Sequence, residues 1–250
     1  MLPERRSNEV RILIVNADDF GLSGGVNEGI IAAHEKGIVT TTSLMVRWPA
    51  ARDAAQYAQA SSTLDVGLHL DLGEWVYCDE RWIALYEVAD LRDRKAVEDE
   101  VHRQIDTFCE LVGRVPTHID SHQHVHSEGP AQAVAKELAH EYILPLRHCT
   151  PAVRYCGDFY GQTAEGAGAP EYITVDALKK IFCGLQPGIT ELACHPGYAD
   201  DLNTMYRGER RLELQTLIDP EIRTAIEAEG ITLARFTEIA PPSNRSGRNR

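Results

Sequence analysis

The sequence has 250 residues and a formal net charge of −13 at pH 7, because 38 Asp plus Glu outnumber 25 Lys plus Arg. A chain of this length can bury the core of one large domain without covalent staples. Such an acidic surface lacks the clustered cations that binding to a nucleic-acid backbone requires, so we expect no nucleic-acid partner.

The chain has no apolar run of the length that a signal peptide or a membrane span requires. Its six cysteines include no C-x-x-C pair, which indicates reduced thiols rather than a disulfide framework. We therefore expect a cytoplasmic protein with no membrane partner. Homo-oligomerisation is compatible with the sequence but is not encoded in any single motif.

Three short apolar runs predict strands in the first third of the chain, with a helical segment between each pair. The first run, 10–17, is rich in β-branched residues and is closed by the letters DDFG. The second and third strands cover 38–46 and 65–72. Helices are predicted over 25–36 and over the alanine-rich stretch 50–60.

Residues 73–94 mix aromatic and charged side chains without a clear period, which predicts a long loop. An apolar residue at every third or fourth position predicts a helix over 96–112. The later elements follow in order: strand 116–124, helix 130–141, a fifth strand 144–148, a glycine- and aromatic-rich insertion 149–170, helix 175–184, strand 189–197, two helical stretches and strand 231–236.

Seven strands that alternate with helices, without a repeat or a linker, indicate an α/β fold with a parallel sheet. Both a barrel and a doubly wound sheet satisfy this order, and a barrel of seven or eight strands fits the length better than two domains. We expect a single domain over 10–240. We expect 1–9 to be an N-terminal extension and 241–250, rich in Pro, Ser, Asn and Gly, to be a disordered tail.

Polar side chains of the kinds that bind metals follow four of the predicted strands. The carboxyl ends of parallel strands meet at one face, so residues far apart in sequence can share a site there. Each residue alone has a structural alternative, since Asp often caps helices and His often serves as a hydrogen-bonded turn residue. The four strand ends carry Asp18 with Asp19, His69, Asp120 with His122, and His195.

One carboxylate and two imidazoles would form an open site for a divalent ion with room for water and substrate. Imidazole ligands favour zinc, and oxygen ligands would allow magnesium. We expect one divalent metal ion, Mg²⁺ or Zn²⁺, with Co²⁺ and Mn²⁺ as further possibilities.

The same segments resemble the YdjC-like carbohydrate deacetylases, a group that includes chitooligosaccharide deacetylase and the hopanoid-cluster deacetylases. The resemblance is carried by VNADDFG, GLHLDL, THIDSHQHVH and ELACHPGY, and it extends over 10–240. It implies kinship with NodB-type polysaccharide deacetylases and a distorted, TIM-like (β/α) barrel of about seven parallel strands. It also implies an enzyme that uses a divalent metal to remove the acetyl group from an N-acetylated amino sugar or short oligosaccharide.

The resemblance also assigns roles to individual residues. Asp19, His69 and His122 match the metal ligands, Asp18 the general base, and His195 the general acid. One geometric conflict arises, because adjacent residues of a regular strand face opposite sides. Asp18 and Asp19 can share a site only if the strand has ended and the backbone turns.

Other residues are candidates for supporting roles. We expect Asp120 to orient a ligand, and His124 and His126 to be solvated loop residues, with the substrate mouth as the alternative. Arg147 is suited either to a substrate oxygen or to an acidic neighbour. The aromatic candidates for stacking on a sugar, or else for ordinary loop packing, are Trp48, Trp75, Trp82, Tyr198 and Tyr206.

Two other functions remain open at this point. One is another metal-assisted hydrolase, such as a phosphoesterase or a non-sugar amidohydrolase, although few Lys and Arg follow the strands to clamp a phosphate. The other is a sugar-binding barrel without turnover, although such a protein would be free to lose part of the candidate catalytic set.

Overall fold

The computed structural model describes residues 10–202 and 204–239. The predicted extension 1–9 and tail 241–250 lie outside the described residues. The strands are β1 (Arg11–Phe20), β2 (Thr41–Leu44), β3 (Asp65–Leu70), β4 (Gly73–Cys78), β5 (Arg81–Glu87), β6 (Ile119–Ser121), β7 (Val153–Cys156), β8 (Gly188–Cys194) and β9 (Ile231–Leu233). The helices are α1 (Gly24–Glu35), α2 (Ala51–Ala60), α3 (Arg94–Val112), α4 (Gly129–Tyr142), α5 (Val175–Gly184), α6 (Gly208–Leu217) and α7 (Pro220–Ala228).

Seven of the strands form one curled parallel sheet in the order β6-β3-β2-β1-β8-β7, with β9 paired to the start of β1. Apolar side chains of the strands and of the covering helices form a single buried cluster. The predicted distorted barrel is therefore confirmed as an open, half-barrel version of the fold. Because all the sheet pairings are parallel, the carboxyl ends of the strands lie at one face.

Helix α3 illustrates how local sequence sets the element boundaries. The side chain of Asp93 accepts hydrogen bonds from the backbone N–H groups of Lys95 and Ala96, which satisfies free donors at the helix start. Gly113 ends the helix in the left-handed conformation, with φ of 76°. Between these caps the predicted apolar stripe is buried against the barrel.

The predicted loop over 73–94 is wrong, because β4 and β5 form an antiparallel hairpin there. Its two-residue turn consists of Asp79 and Glu80, with φ of 50° and 59°. Two successive left-handed residues are typical of a type I′ turn, which Asn and Gly usually signal. The hairpin stands away from the main sheet and is partly exposed on both faces, so no clean alternation marks it in the sequence.

The predicted fifth strand over 144–148 is also wrong. Only Leu146 pairs there, in an isolated parallel bridge with Ile119. Pro145 offers no N–H donor, and the chain turns at His148, whose φ is 62°. The sheet instead takes β7 from within the predicted insertion 149–170.

Among the described residues, no helix has an apolar stretch long enough to cross a lipid bilayer.

Candidate active site

Asp18 and Asp19 both face the barrel interior because β1 contains an irregularity at its end. The strand continues to Phe20 rather than ending at Ala17, but its register with β2 shifts between Ala17 and Phe20. Asp19 takes a left-handed conformation with φ of 70°. An extra residue of this kind breaks the alternation of a strand and redirects a side chain. Asp18 and Asp19 are 3% and 1% exposed.

Asp19 lies at the centre of the three residues expected to bind a metal. Its Oδ1 is 3.0 Å from Nδ1 of His122 and 3.2 Å from Nε2 of His69. Asp19, His69 and His122 each offer one possible ligand atom, and these three atoms lie within 4.8 Å of one another. Nε2 of His122 is buried and has no hydrogen-bond partner among the described residues, and Nε2 of His69 contacts Asp19 without the geometry of a hydrogen bond.

The electrostatics of this triad favour a cation between its members. Burial alone raises the pKa of Asp19, but Arg210 and His122 hold it well below its usual value, so the carboxylate is ionised. Burial disfavours a charged His69, yet Asp120 and Asp19 raise the pKa of His69 to about 10. The carboxylates that stabilise a proton on this imidazole would equally stabilise a metal ion beside it.

Asp120 supports His69 rather than His122. Its Oδ1 is 2.7 Å from Nδ1 of His69, and the hydroxyl of Ser43 lies 3.1 Å from the same nitrogen. With Nδ1 occupied, Nε2 of His69 is directed towards Asp19. This carboxylate–imidazole arrangement is the usual way in which proteins fix the tautomer of a metal-binding histidine.

Arg147 is the hub of a buried ion-pair network on the other side of the site. Its guanidinium donates to both carboxylate oxygens of Asp18, at 2.6 and 2.8 Å, and to Glu191 at 2.8 Å. It also lies 2.7 Å from Asp120. The arginine is 3% exposed, so of the two roles expected for it, the structure places it against acidic neighbours.

This network sets the charge states of its acids. Burial opposes ionisation of Asp18, but Arg147 outweighs it, and the pKa of Asp18 lies below its usual value. Burial dominates at Glu191 and raises its pKa to about 7 despite the same arginine. Asp18 is therefore an ionised, pre-oriented acceptor at neutral pH.

His195 follows β8 and faces Asp18, with 3.8 Å between its Nε2 and Oδ2 of the carboxylate. Its backbone N–H donates to Glu213, which also accepts the hydroxyl of Tyr206. The ring Nδ1 lies 4.0 Å from Glu213 and has no hydrogen-bond partner among the described residues. Burial lowers the pKa of His195 to about 4, so its imidazole is neutral at pH 7.

The expectation that His124 and His126 are solvated is wrong, and of the two only His124 lines the cavity, which was the alternative. His126 is fully buried, with Nδ1 2.5 Å from the Ser121 hydroxyl and Nε2 3.0 Å from the Arg147 carbonyl. His124 is half-buried, and its Nε2 is hydrogen-bonded to the hydroxyl of Tyr155 at 3.1 Å. The strand ends at Ser121, and a kinked 3-10 segment then turns both rings inward, so their spacing in sequence has no strand geometry.

Asp18, Asp19, His69, His122 and His195 line a cavity of about 890 Å³. We call these five residues, together with Asp120, which contacts His69 but does not itself line the cavity, the floor. The mouth is formed by the β4–β5 hairpin and by Thr163, Ala164 and Gly166 of a neighbouring turn. Trp48, Trp75, Trp82 and Tyr206 contribute to the lining.

Two aromatic candidates differ in their surroundings. Trp48 donates its indole N–H to Asp71 at 3.1 Å and packs edge-on against Tyr86. Tyr198 is not among the described residues that line the cavity; it is 37% exposed, with the guanidinium of Arg211 5.8 Å from its ring centre.

Four acidic or basic residues near the site were not predicted from the sequence. Arg210 donates to Asp19 at 2.6 Å, and Glu213 supports His195, yet both belong to the charged helix α6 and resemble surface residues in the sequence. Glu191 could have been predicted from the sequence, since it is the only charged residue within the apolar strand ITELAC. Glu74 lines the cavity from β4, and burial raises its pKa.

Comparison with known proteins agrees with these motifs. The model of the YdjC-like protein family matches residues 12–228. A carbohydrate deacetylase of Geobacillus stearothermophilus is 34% identical, with 92% of this chain and 98% of the relative covered. A chitooligosaccharide deacetylase of Klebsiella pneumoniae is 31% identical, with 92% and 99% covered.

A solved structure has the same architecture. It is a candidate cellobiose-phosphate cleavage protein of Enterococcus faecalis, which is 27% identical to this chain and superposes with a TM-score of 0.74. The match covers 91% of this chain and 98% of that structure.

Proposed function

Since the chain belongs to the YdjC-like protein family, we propose that it is a metal-dependent carbohydrate deacetylase. Its substrate class is an N-acetylated amino sugar or a short oligosaccharide of such sugars. The names of the relatives, carbohydrate deacetylase and chitooligosaccharide deacetylase, support this assignment over nearly the full length of the chain.

The observation that carries the metal proposal is the convergence of one ionised carboxylate and two imidazoles, since Asp19, His69 and His122 each place a ligand atom within 4.8 Å of the other two. Buried polar atoms in proteins are nearly always hydrogen-bonded, so a ligand would also explain why Nε2 of His122 has no hydrogen-bond partner among the described residues. Asp19, His69 and His122 fit a divalent ion, with Mg²⁺ and Zn²⁺ as the leading candidates and Co²⁺ or Mn²⁺ as others. A bound ion supplies Lewis-acid chemistry, which polarises an acyl oxygen and lowers the pKa of water.

Asp18 is the proposed general base. Its carboxylate is ionised and held by Arg147 on both oxygens, so it accepts a proton without losing its position. The proton comes from the water that attacks the acetamide carbon. Because Arg147 also lowers the proton affinity of Asp18, the proton leaves again readily.

His195 is the proposed general acid. The amine of a sugar leaves only when its nitrogen is protonated. A neutral imidazole is too weak an acid to supply that proton, so His195 must first be protonated. The low pKa of His195 means that the proton arrives during turnover. Asp18, with its Oδ2 3.8 Å from Nε2, is the nearest carboxylate and can pass on the proton that it took from water.

The alternative of a phosphoesterase has less support. Among the described residues that line the cavity, Arg210 is the only Arg or Lys, and it is paired with Asp19. Clamps for phosphoryl oxygens normally use several free cations. A barrel that binds sugar without turnover is disfavoured because the base, the acid and all three proposed ligands are present together.

We also propose a reducing, cytoplasmic location. All six cysteines lie in the described part of the chain and have free thiols. Free cysteines persist in compartments that keep thiols reduced.

An acetate-release screen tests the proposed activity. Purified protein is assayed with N-acetylglucosamine and its short β-1,4-linked oligomers, with each divalent ion in turn and with a chelator. We expect acetate only in the presence of an ion. Phosphate release from a model ester without acetate from any sugar would instead support the phosphoesterase.

A further inference from the structure

The β4–β5 hairpin presents an aromatic face to the cavity. Cross-strand pairs in an antiparallel hairpin share one face, and here the pairs are Trp75 with Ala84 and Tyr77 with Trp82. Trp75 and Trp82 both line the cavity. The pair Val76 with Ile83 lies on the opposite face, away from it.

Trp82 is the unusual member of this face. It lines the cavity and yet is 52% exposed, although a large indole is normally covered. Tyr77 packs against it edge-to-face with 5.5 Å between ring centres, which holds the indole in place. The result is a fixed aromatic surface open to the cavity mouth.

The hairpin is tied to the floor of the site by Gln123. The Gln123 amide accepts from the backbone N–H of Trp75 and donates to its carbonyl, both at 2.8 Å. Gln123 directly follows His122 and takes a left-handed conformation with φ of 49°. The aromatic face therefore has a defined position relative to the proposed metal ligands.

A turn beside the hairpin adds to the lining of the mouth. Thr163, Ala164 and Gly166 line it, and Gly166 lies against the hairpin, since a side-chain carbon added there would be 3.9 Å from Cβ of Tyr77. The cavity volume of about 890 Å³ is at the upper end of the range for small-molecule sites. An acetamide group bound at the floor would fill only part of this volume. Polar groups of Glu74, Gln123 and Thr163 lie along the same lining and suit hydroxyl groups.

We propose that Trp82 stacks on the sugar ring next to the one that carries the reacting acetamide, so the preferred substrates have at least two rings. The inference rests on the proposed function, because the floor must hold the acetamide. An exposed aromatic face matches the C–H face of a sugar, and the surrounding polar side chains match its hydroxyls.

The test compares two substrates, N-acetylglucosamine and its β-1,4-linked dimer, in the metal-loaded enzyme. The measured quantity is the ratio of kcat/KM for the dimer to kcat/KM for the monomer. We expect W82A to lower this ratio about tenfold and W82F to restore most of it. The matched control is I83A, the neighbouring residue on the opposite face, for which we expect an unchanged ratio.

A ratio that stays constant in W82A, or that falls equally in W82A and I83A, would overturn the proposal. Calorimetric titration of both sugars separates this failure from failure of the proposed function. If neither sugar releases acetate but the dimer binds more tightly and W82A removes the difference, the stacking site stands and the deacetylase does not. Equal binding of both sugars to wild type and W82A would overturn the stacking site.

Discussion

The floor of the cavity is charged and buried, whereas its mouth is aromatic and partly exposed. At the floor, Asp18, Asp19 and His69 are at most 3% exposed and held by ion pairs or short hydrogen bonds. At the mouth, Trp82 is 52% exposed. The floor arises from the ends of parallel strands, and the mouth from a hairpin and a turn inserted between them.

This difference separates chemistry from recognition. Buried charges must keep their partners, so each floor residue depends on at least one other residue. A side chain at the mouth can change without leaving a charge unpaired. We therefore expect floor substitutions to abolish activity or stability, and mouth substitutions to alter only the choice of substrate.

Asp19→Asn should have the largest effect on activity. It removes the one charge among the three proposed ligands, and we expect kcat/KM to fall by about 10³-fold or more, with loss of bound metal. Steady-state kinetics and metal content after dialysis measure this. Asp53→Asn, an exposed substitution on α2, serves as the control. Full turnover by Asp19→Asn would show that the ion is held elsewhere.

Arg147→Met should have the largest effect on stability. It leaves Asp18, Asp120 and Glu191 buried without the guanidinium that pairs with them. Breaking such a network lowers the free energy of unfolding by about 3–5 kcal/mol. Urea unfolding measures the change. Arg92→Met removes an exposed pair with Asp90 and should leave the unfolding midpoint unchanged. Equal effects of the two substitutions would mean that the Arg147 network is not a determinant of stability.

Asp120→Asn should weaken the floor without removing a ligand. Loss of the carboxylate that holds Nδ1 of His69 should lower metal affinity about ten- to a hundredfold. Competition with a chelator of known affinity measures this. Asp71→Asn is the matched control, because Asp71 is equally buried but bonds Arg47, Trp48 and Tyr86 near the mouth. A similar loss of affinity in both variants would contradict the distinction between floor and mouth.

His118 is a buried histidine outside the floor, and the pH dependence of stability tests whether it stays neutral in the folded protein. It is 1% exposed, stacks on Phe236, and burial lowers its pKa to about 4. In the unfolded chain its pKa is about 6.5, so its contribution is present above pH 6.5 and is lost as the pH falls towards 4.

The expected effect of His118 on stability is smaller than that of Arg147. Between pH 7 and pH 5, wild type should lose about 2 kcal/mol more unfolding free energy than His118→Gln. Urea unfolding at the two pH values gives this difference. His102→Gln, an exposed substitution on α3, should lose as much as wild type. A parallel loss in wild type and His118→Gln would mean that His118 is protonated in the folded protein.

Much of the fold and floor could be predicted because strand ends are visible in sequence. An apolar run closed by Asp or His identifies both the strand and the side chain at its exit, as at Asp19, His69 and His195. The convergence of these residues then follows from parallel topology alone. The irregularity in β1 that lets the side chains of Asp18 and Asp19 share one site was not predictable, because it depends on the register with β2.

The mouth and the supporting residues were much less predictable. The hairpin turns at Asp79 and Glu80, which lack the usual Asn and Gly signal, and it packs on neither face as a regular strand would. Arg210 and Glu213 lie on an amphipathic helix, where charges are normally solvated. Their burial is a result of how α6 packs, which periodicity alone does not reveal.

Asp18→Asn provides the most direct test of the account, because it removes the proposed base and leaves the three proposed ligands intact. The measurement is acetate release from the β-1,4-linked dimer of N-acetylglucosamine, with bound metal quantified in the same samples. We predict that wild type releases acetate, and that the variant keeps its metal but loses about 10³-fold or more in kcat. Undiminished acetate release by the metal-loaded variant would contradict the assignment of Asp18 and the mechanism built on it.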